Sequence, residues 1–364
     1  MLKEGQVRIP SGCAIAAVID REGGRMSGRQ IIEAMRPMHD RSNGLGGGFA
    51  AYGIYPEHSE LYALHCFFDE RATRKSCELF LKERFEIVRS EIIPTRKTAA
   101  ITDSPVIWRY FAAPLRSVQD AMQLDEEEFV VRTVMKINSE IPGAYVFSSG
   151  KNMGTFKAVG FPEDVGEFYC LEEYEGYCWT AHSRYPTNTP GWWGGAHPFT
   201  LLDRSVVHNG EISSYDANRR SIEMFGYRCS LQTDTEVITY IFDYLIRVQG
   251  LTLGEAAGVV AAPFWSTIAG MTDAAEREQH RFLRMTFPGL LVTGPFSIVL
   301  GYTGGLMALN DRLKLRSMVV GEKGSRVYIA SEEAAIRAME PDAERVWAPA
   351  GGEPVIINVK EGCL

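Results

Sequence analysis

The sequence predicts one large domain of mixed α and β structure in which short strands outnumber helices. Three observations carry this. Of 364 residues, 45% are hydrophobic and 23% charged, a soluble globular balance with enough apolar side chain for a substantial core. Short apolar runs recur from Ala14 almost to the C-terminus, separated by turn-forming residues. No low-complexity linker and no internal repeat divides the chain.

Taken in order, Ala14 to Ile19 is an unbroken apolar run closed by the polar turn Asp20 to Arg25, which predicts a buried strand with Cys13 at its head. Ile31, Ile32, Met35 and Met38 share a helical face, and the glycine-rich 42–48 segment leads into alternating residues up to Tyr55. Leu61 to Phe68 predicts a strand, and Asp69 to Ile93 a charged amphipathic helix. Val106 to Ala113 predicts a strand, Asp125 to Ile141 a helix, and 144–149 and 156–160 further strands. A strand ending at His182 precedes a loop rich in Pro, Thr, Trp and Gly, then a strand over 202–207 and helices over 215–225 and 235–248. Residues 251–289 predict helices, followed by strands over 296–300, 306–309, 317–320, 327–330 and 355–359. Helical insertions are thus expected over roughly 69–141 and 251–289 of the domain.

Composition excludes several functions. A net charge of −8 and a pI near 5.5 leave no broad cationic footprint for nucleic acid. The one long apolar stretch, Leu290 to Leu309, is broken by Thr303-Gly304-Gly305 and reads as a core hairpin, where a membrane span needs about 20 uninterrupted apolar residues. Met1 to Gly12 lacks the regions of a signal peptide, so the expected location is cytoplasmic. The seven cysteines, at 13, 66, 77, 170, 178, 229 and 363, include no CxxC pair, which argues against a metal site or disulfide framework. Those at 66, 77, 170, 178 and 229 read as reduced, half-buried small hydrophobes. The glycines at 44, 46, 47 and 48 lack the last glycine of a dinucleotide loop, and Ser148 to Lys151 lacks the upstream glycine of a P-loop.

The chemistry-bearing segments are His182-Ser183-Arg184-Tyr185-Pro186-Thr187, Ala196-His197-Pro198-Phe199, His208-Asn209-Gly210-Glu211 and Thr233-Asp234-Thr235-Glu236, with Trp192 and Trp193 between the first two. Singly each has a bland reading: Asn-Gly as a tight turn, Arg184 as a surface ion pair, Thr233 to Glu236 as a helix cap. Together, in this order behind Cys13, they resemble the class II glutamine amidotransferases, N-terminal-nucleophile hydrolases. Asp311-Arg312, Ile329-Ala330-Ser331-Glu332 and a final strand near Ile356 extend the resemblance over the chain from Cys13. Within that family the likeness is to the amidotransferase portion of glutamate synthase, here as a separate polypeptide.

The resemblance implies an α+β fold, a four-layer αββα sandwich, with residues 13–364 as the amidotransferase domain. It implies that Cys13 attacks the glutamine carboxamide while its own α-amine, ordinarily of pKa about 7.7–8.0, serves as base. Asn209 through its amide and Gly210 through its backbone N–H would hold the oxyanion. Arg184 would bind the α-carboxylate of glutamine and Asp234 its α-ammonium. Arg41, in the segment His39 to Asn43 that is similar to the family's arginine-glycine turn, would orient the cysteine end of the site; Ser42 stands where glycine is usual. His182 and His208 would be supporting hydrogen bonders.

A free amine on Cys13 requires residues 1–12 to be a leader cut after Gly12, because loss of Met1 alone leaves Leu2. Ala14 replaces the family's usual glycine. No cofactor is expected in this chain. Ammonia would pass to a separate synthase subunit, a flavoprotein carrying FMN and iron–sulfur clusters, with an oligomer as one possible setting. Two other readings stay open: an amidohydrolase of another amide, and a non-catalytic scaffold with an uncut leader.

Overall fold

The computed structural model describes residues 12–186 and 190–364, so residues 1–11 of the expected leader and Thr187 of the first motif lie outside the described residues. The strand Ala14–Asp20 is buried along its whole length because both its faces are covered. Ala14, Ala16 and Val18 enter one apolar cluster while Ile15, Ala17 and Ile19 enter another, the period of two that a pleated strand imposes. This explains the unbroken apolar run.

That strand is the middle of a seven-stranded antiparallel sheet. The order is Arg345–Trp347, Val319–Lys323, Arg326–Ala330, Ala14–Asp20, Cys178–Ser183, Gly47–Tyr52 and Met153–Ala158. A second antiparallel sheet runs Phe199–Leu201, Arg204–Gly210, Phe296–Tyr302, Gly305–Asn310 and Val355–Asn358. The two sheets face each other, with Val207, Val299, Leu306 and Ala308 packed against Ile15, Ala17, Ile19 and Ile329. Each valine, leucine or isoleucine side chain fully removed from water contributes about 1.5–3 kcal/mol and the alanines less, and this apolar layer holds the two sheets together.

Helices Arg29–Met35, Pro162–Phe168 and Glu333–Met339 cover the outer face of the first sheet. Asp234–Asp243 covers the second, with Tyr215–Glu223 and Leu253–Val260 in the same apolar cluster. The result is the expected sandwich of helix, sheet, sheet and helix. The 290–309 stretch forms the paired strands Phe296–Tyr302 and Gly305–Asn310, as its turn residues predict. Among the described residues no helix is long and apolar enough to cross a membrane.

The helix expected over 69–93 is corrected. Arg71–Lys82 is helical, but Phe85–Ile92 is a strand paired with Val106–Pro114. With Tyr62–Phe68 and Ala144–Ser148 these form a four-stranded sheet, so the 69–141 insertion is not purely helical. Phe85–Ile92 is an edge strand with one protected flank, and its mixed charges fit an exposed helix face equally well. Only the partner strand distinguishes the two. Likewise the strand expected over 202–207 begins at Arg204, because Leu202 adopts φ +52° in the hairpin turn that returns from Phe199–Leu201. Of the interior cysteines, Cys66, Cys77 and Cys178 are wholly enclosed, and Cys170 and Cys229 are also buried and unpaired.

Candidate active site

Cys13 stands at the head of the central strand, and by the alternation along that strand its side chain falls on the side of Ile15, facing the second sheet. The backbone N–H of Tyr185 donates to its sulfur at 3.3 Å, and Arg41 Nε donates to its carbonyl at 3.0 Å. Arg41 Nη1 also pairs with Glu332 at 2.7 Å, so the residue expected to orient the cysteine end does contact it. Burial pushes the Cys13 thiol above the usual thiol range; the Tyr185 N–H, Arg184 and Arg316 oppose this and Asp234 adds to it. Such a thiol needs a base to become a nucleophile.

A cavity of about 490 Å³ opens beside the sulfur, and its lining includes Cys13, Arg184, His208, Gly210, Tyr215 and Asp234. Arg184 follows the strand Cys178–Ser183 and is only 4% exposed. Its N–H donates to the Gly46 carbonyl at 2.9 Å, its own carbonyl accepts Ser42 Oγ at 2.8 Å, and Nη1 reaches the Pro190 carbonyl at 3.3 Å. Ser42, the departure from the family's glycine, thus ties the Arg41 turn to the Arg184 backbone.

Asp234 opens the helix Asp234–Asp243, whose N-cap Thr233 accepts the Glu236 N–H. The bland cap reading and the functional one therefore both hold: capping Thr233 sets the helix start, and the helix start presents Asp234 to the cavity. Burial raises the Asp234 carboxyl, but His208 at 3.6 Å, the Ile212 N–H at 3.4 Å and Thr235 together hold it below the usual carboxylate range. The carboxylate is ionised and available to a cation.

Asn209 and Gly210 end the strand Arg204–Gly210 and are not a tight turn. Gly210 lines the cavity; a Cβ there would lie 2.1 Å from the Pro295 carbonyl oxygen and 2.7 Å from His208 Nε2. Only glycine lets the chain pass so closely. Asn209 is enclosed between the sheets, where its Nδ2 donates to Ser331 Oγ at 3.2 Å and its Oδ1 has no partner. Ser331 Oγ also accepts the Ile15 N–H at 3.1 Å, which links the amide of Asn209 to the nucleophile's own strand. Sequence reasoning quoted Ser331 and Glu332 at a strand end without a role; Arg316 and the Tyr185 N–H carried no local signal.

Three buried histidine rings lie side by side, His197 and His208 on the cavity wall and His182 behind them. His182 and His197 stack at 3.9 Å, and His197 and His208 are 6.5 Å apart and nearly parallel. His182 Nε2 meets the His208 carbonyl at 2.9 Å, joining the two sheets as the expected supporting bond. Thr235 Oγ1 lies 3.2 Å from His208 Nδ1 and 3.3 Å from His197 Nε2. Burial lowers His182 to about 3 and holds His197 well below the usual imidazole range, so both are neutral. Among the described residues no group of histidine, cysteine or acidic side chains is arranged to hold a metal ion.

Two stacked antiparallel sheets between helices, with a cysteine heading the central strand beside paired charges, define the architecture of the N-terminal-nucleophile amidotransferases. The family model for class II glutamine amidotransferases matches residues 59–343, and the chain belongs to that family. The match contains Arg184, Asn209, Gly210 and Asp234; Cys13 and Arg41 precede it and join them through the contacts above. An uncharacterized protein of Archaeoglobus fulgidus is 50% identical over 351 residues, covering 96% of this chain and 92% of that one. An amidophosphoribosyltransferase of Methanocaldococcus jannaschii is 26% identical over 59% of this chain, which spans only 40% of that protein. The glutamine amidotransferase-like protein GlxB of Rhizobium meliloti is 27% identical, covering 57% of this chain and 60% of its own.

Proposed function

We propose that this chain hydrolyses glutamine to glutamate and ammonia through a γ-glutamyl thioester on Cys13. The observation that supports it most is the Cys13 thiol on the wall of one cavity with Arg184 and Asp234, a cation and an anion of the kinds that would pair with the α-carboxylate and α-ammonium of a free amino acid. Sulfur attacks the carboxamide carbon as the Cys13 α-amine takes the thiol proton, and the negative charge develops on the carboxamide oxygen. Gly210 N–H and Asn209 Nδ2 serve that oxyanion, Asn209 by exchanging its bond to Ser331. The proton returns to the nitrogen, ammonia leaves, and water then cleaves the thioester to glutamate. No separate histidine base is needed.

The mechanism requires the Gly12–Cys13 bond to be broken, since in the intact chain the Cys13 nitrogen is an amide. The sequence likeness to the glutamate synthase amidotransferase supports delivery of the ammonia to a separate synthase subunit bearing FMN and iron–sulfur clusters. Intact mass of the purified protein, together with glutamate release by it and by Cys13→Ala, tests the reading. A chain beginning at Cys13 whose activity the substitution removes is expected; equal rates for the two proteins would refute it.

A further inference from the structure

Among the described residues Arg316 stands beside the nucleophile without an ion-pair partner. A Cβ built on Gly12 would lie 3.6 Å from Arg316 Nη1 and 4.0 Å from Arg41 Nη2, so both guanidinium groups flank the junction with Cys13. Arg41 is already paired with Glu332. Arg316 makes no ion pair among the described residues, and its Nε is buried with no hydrogen-bond partner. Its backbone is nonetheless fixed, because Asn310 Nδ2 donates to the Arg316 carbonyl at 2.9 Å and to Ser297 Oγ at 2.7 Å. Ser297 is the cross-strand partner of Asn209, so the position of Arg316 is built from the same ladder as the oxyanion residues.

We propose, on the reading that Cys13 works with its own α-amine as base, that Arg316 holds that amine in its neutral, proton-accepting form. An ammonium formed at Cys13 would face a positive charge that makes no ion pair among the described residues, and like charges disfavour ionisation. Around the nucleophile stand Arg41, Arg184 and Arg316 against Glu332 and Asp234. Glu211 and Arg219 line the same cavity with opposite charges, His182 and His197 are neutral, and His208 is turned to Asp234. Arg316 is therefore the excess charge. It acts through the amine and is a positioning residue.

The test uses protein beginning at Cys13 and labelled with 15N-cysteine, because an amine nitrogen resonates far from the peptide nitrogens of the other cysteines. One unit charge about 4 Å away shifts a titration by about 0.8 pH unit at the dielectric of water and by about 3 at an effective dielectric near 20, so Arg316→Gln should raise the amine titration by about 1 pH unit or more. The acid limb of kcat/KM for glutamine should move upward with it, and Arg316→Lys should restore both. An amine titration unchanged in folded Arg316→Gln protein overturns the proposal while leaving the amine as base. Undiminished glutaminase activity with Gly12 still attached overturns the amine-as-base reading, and the proposal falls with it, whatever Arg316 does to the titration.

Discussion

The Tyr185 N–H donates to the Cys13 sulfur at 3.3 Å, which couples the nucleophile to the chain that carries Arg184 one residue earlier. Thiol and carboxylate-binding cation are thus set by one short segment. Cys13→Ala should reduce glutamate release to background while shifting Tm by no more than about 2 °C, since the lost sulfur is half-buried and its one donor can turn to water. Comparing the two proteins by glutamate assay and thermal melting checks both parts.

Arg184 and Asp234 bind opposite ends of the proposed substrate. Arg184→Ala and Asp234→Asn should each raise KM for glutamine by about 10- to 100-fold, corresponding to about 1.5–3 kcal/mol for a charge-assisted bond. Arg184→Lys should recover only part, because a point charge does not reproduce a bidentate fork. Steady-state kinetics in the processed enzyme decide; unchanged KM in all three would remove the amino-acid end from this cavity.

For Asn209→Ala the expected loss is in kcat, with KM little changed. Removal of one oxyanion donor typically costs about 2.7–4 kcal/mol, or 10²- to 10³-fold. A KM effect alone would mean that Asn209 only holds Ser331.

Gly210→Ala drives a methyl group into the Pro295 carbonyl, 2.1 Å away, and into the backbone of a paired strand that cannot yield. It should lower both activity and stability, the latter by about 1–3 kcal/mol. Gly254→Ala, where nothing lies within 4 Å, should be neutral or stabilise by up to about 1 kcal/mol. Urea unfolding of the pair checks the contrast.

His65 makes acid stability measurable away from the site. Burial first, and then Arg109, lowers it from 6.5 to about 3, while Thr155 O accepts from Nδ1 and Tyr55 lies at Nε2. The folded protein keeps it neutral, so as pH falls below 6.5 the unfolded chain takes a proton that the folded one refuses. Stability should therefore fall from pH 6.5 towards 3 and be insensitive to this group above 6.5. His65→Gln should flatten the dependence of the urea midpoint on pH over that window, with His182 and His197 supplying the remaining slope.

Much of the fold was legible because its signals are local. The unbroken run at Ala14 to Ile19 marks a strand covered on both faces, and Asp125 to Ile141 announces a helix whose cap, Asp125, accepts the Glu128 N–H. Phe85–Ile92 escaped because its pattern serves either a helix or an edge strand until Val106–Pro114 is placed beside it. In the site, Arg184, Gly210 and Asp234 were readable from their motifs, but Asn209 was expected at the cavity and in the structure donates to Ser331 between the sheets. Its direction follows from strand parity across two facing sheets, which a single motif does not contain.

By itself the sequence determined the strand that Cys13 heads, the order of the polar motifs and the apolar periods that make two sheets and their helices, because each depends on neighbours a few residues apart. Tertiary structure alone decided that residues 13, 184, 210 and 234 share one cavity, that Ser331 holds Asn209, and that Arg316 arrives beside Gly12 with no ion pair among the described residues. Those contacts join segments hundreds of residues apart through strand register and sheet packing. A charge shifts a neighbouring titration once folding brings the two groups together and leaves the charge without a counter-ion.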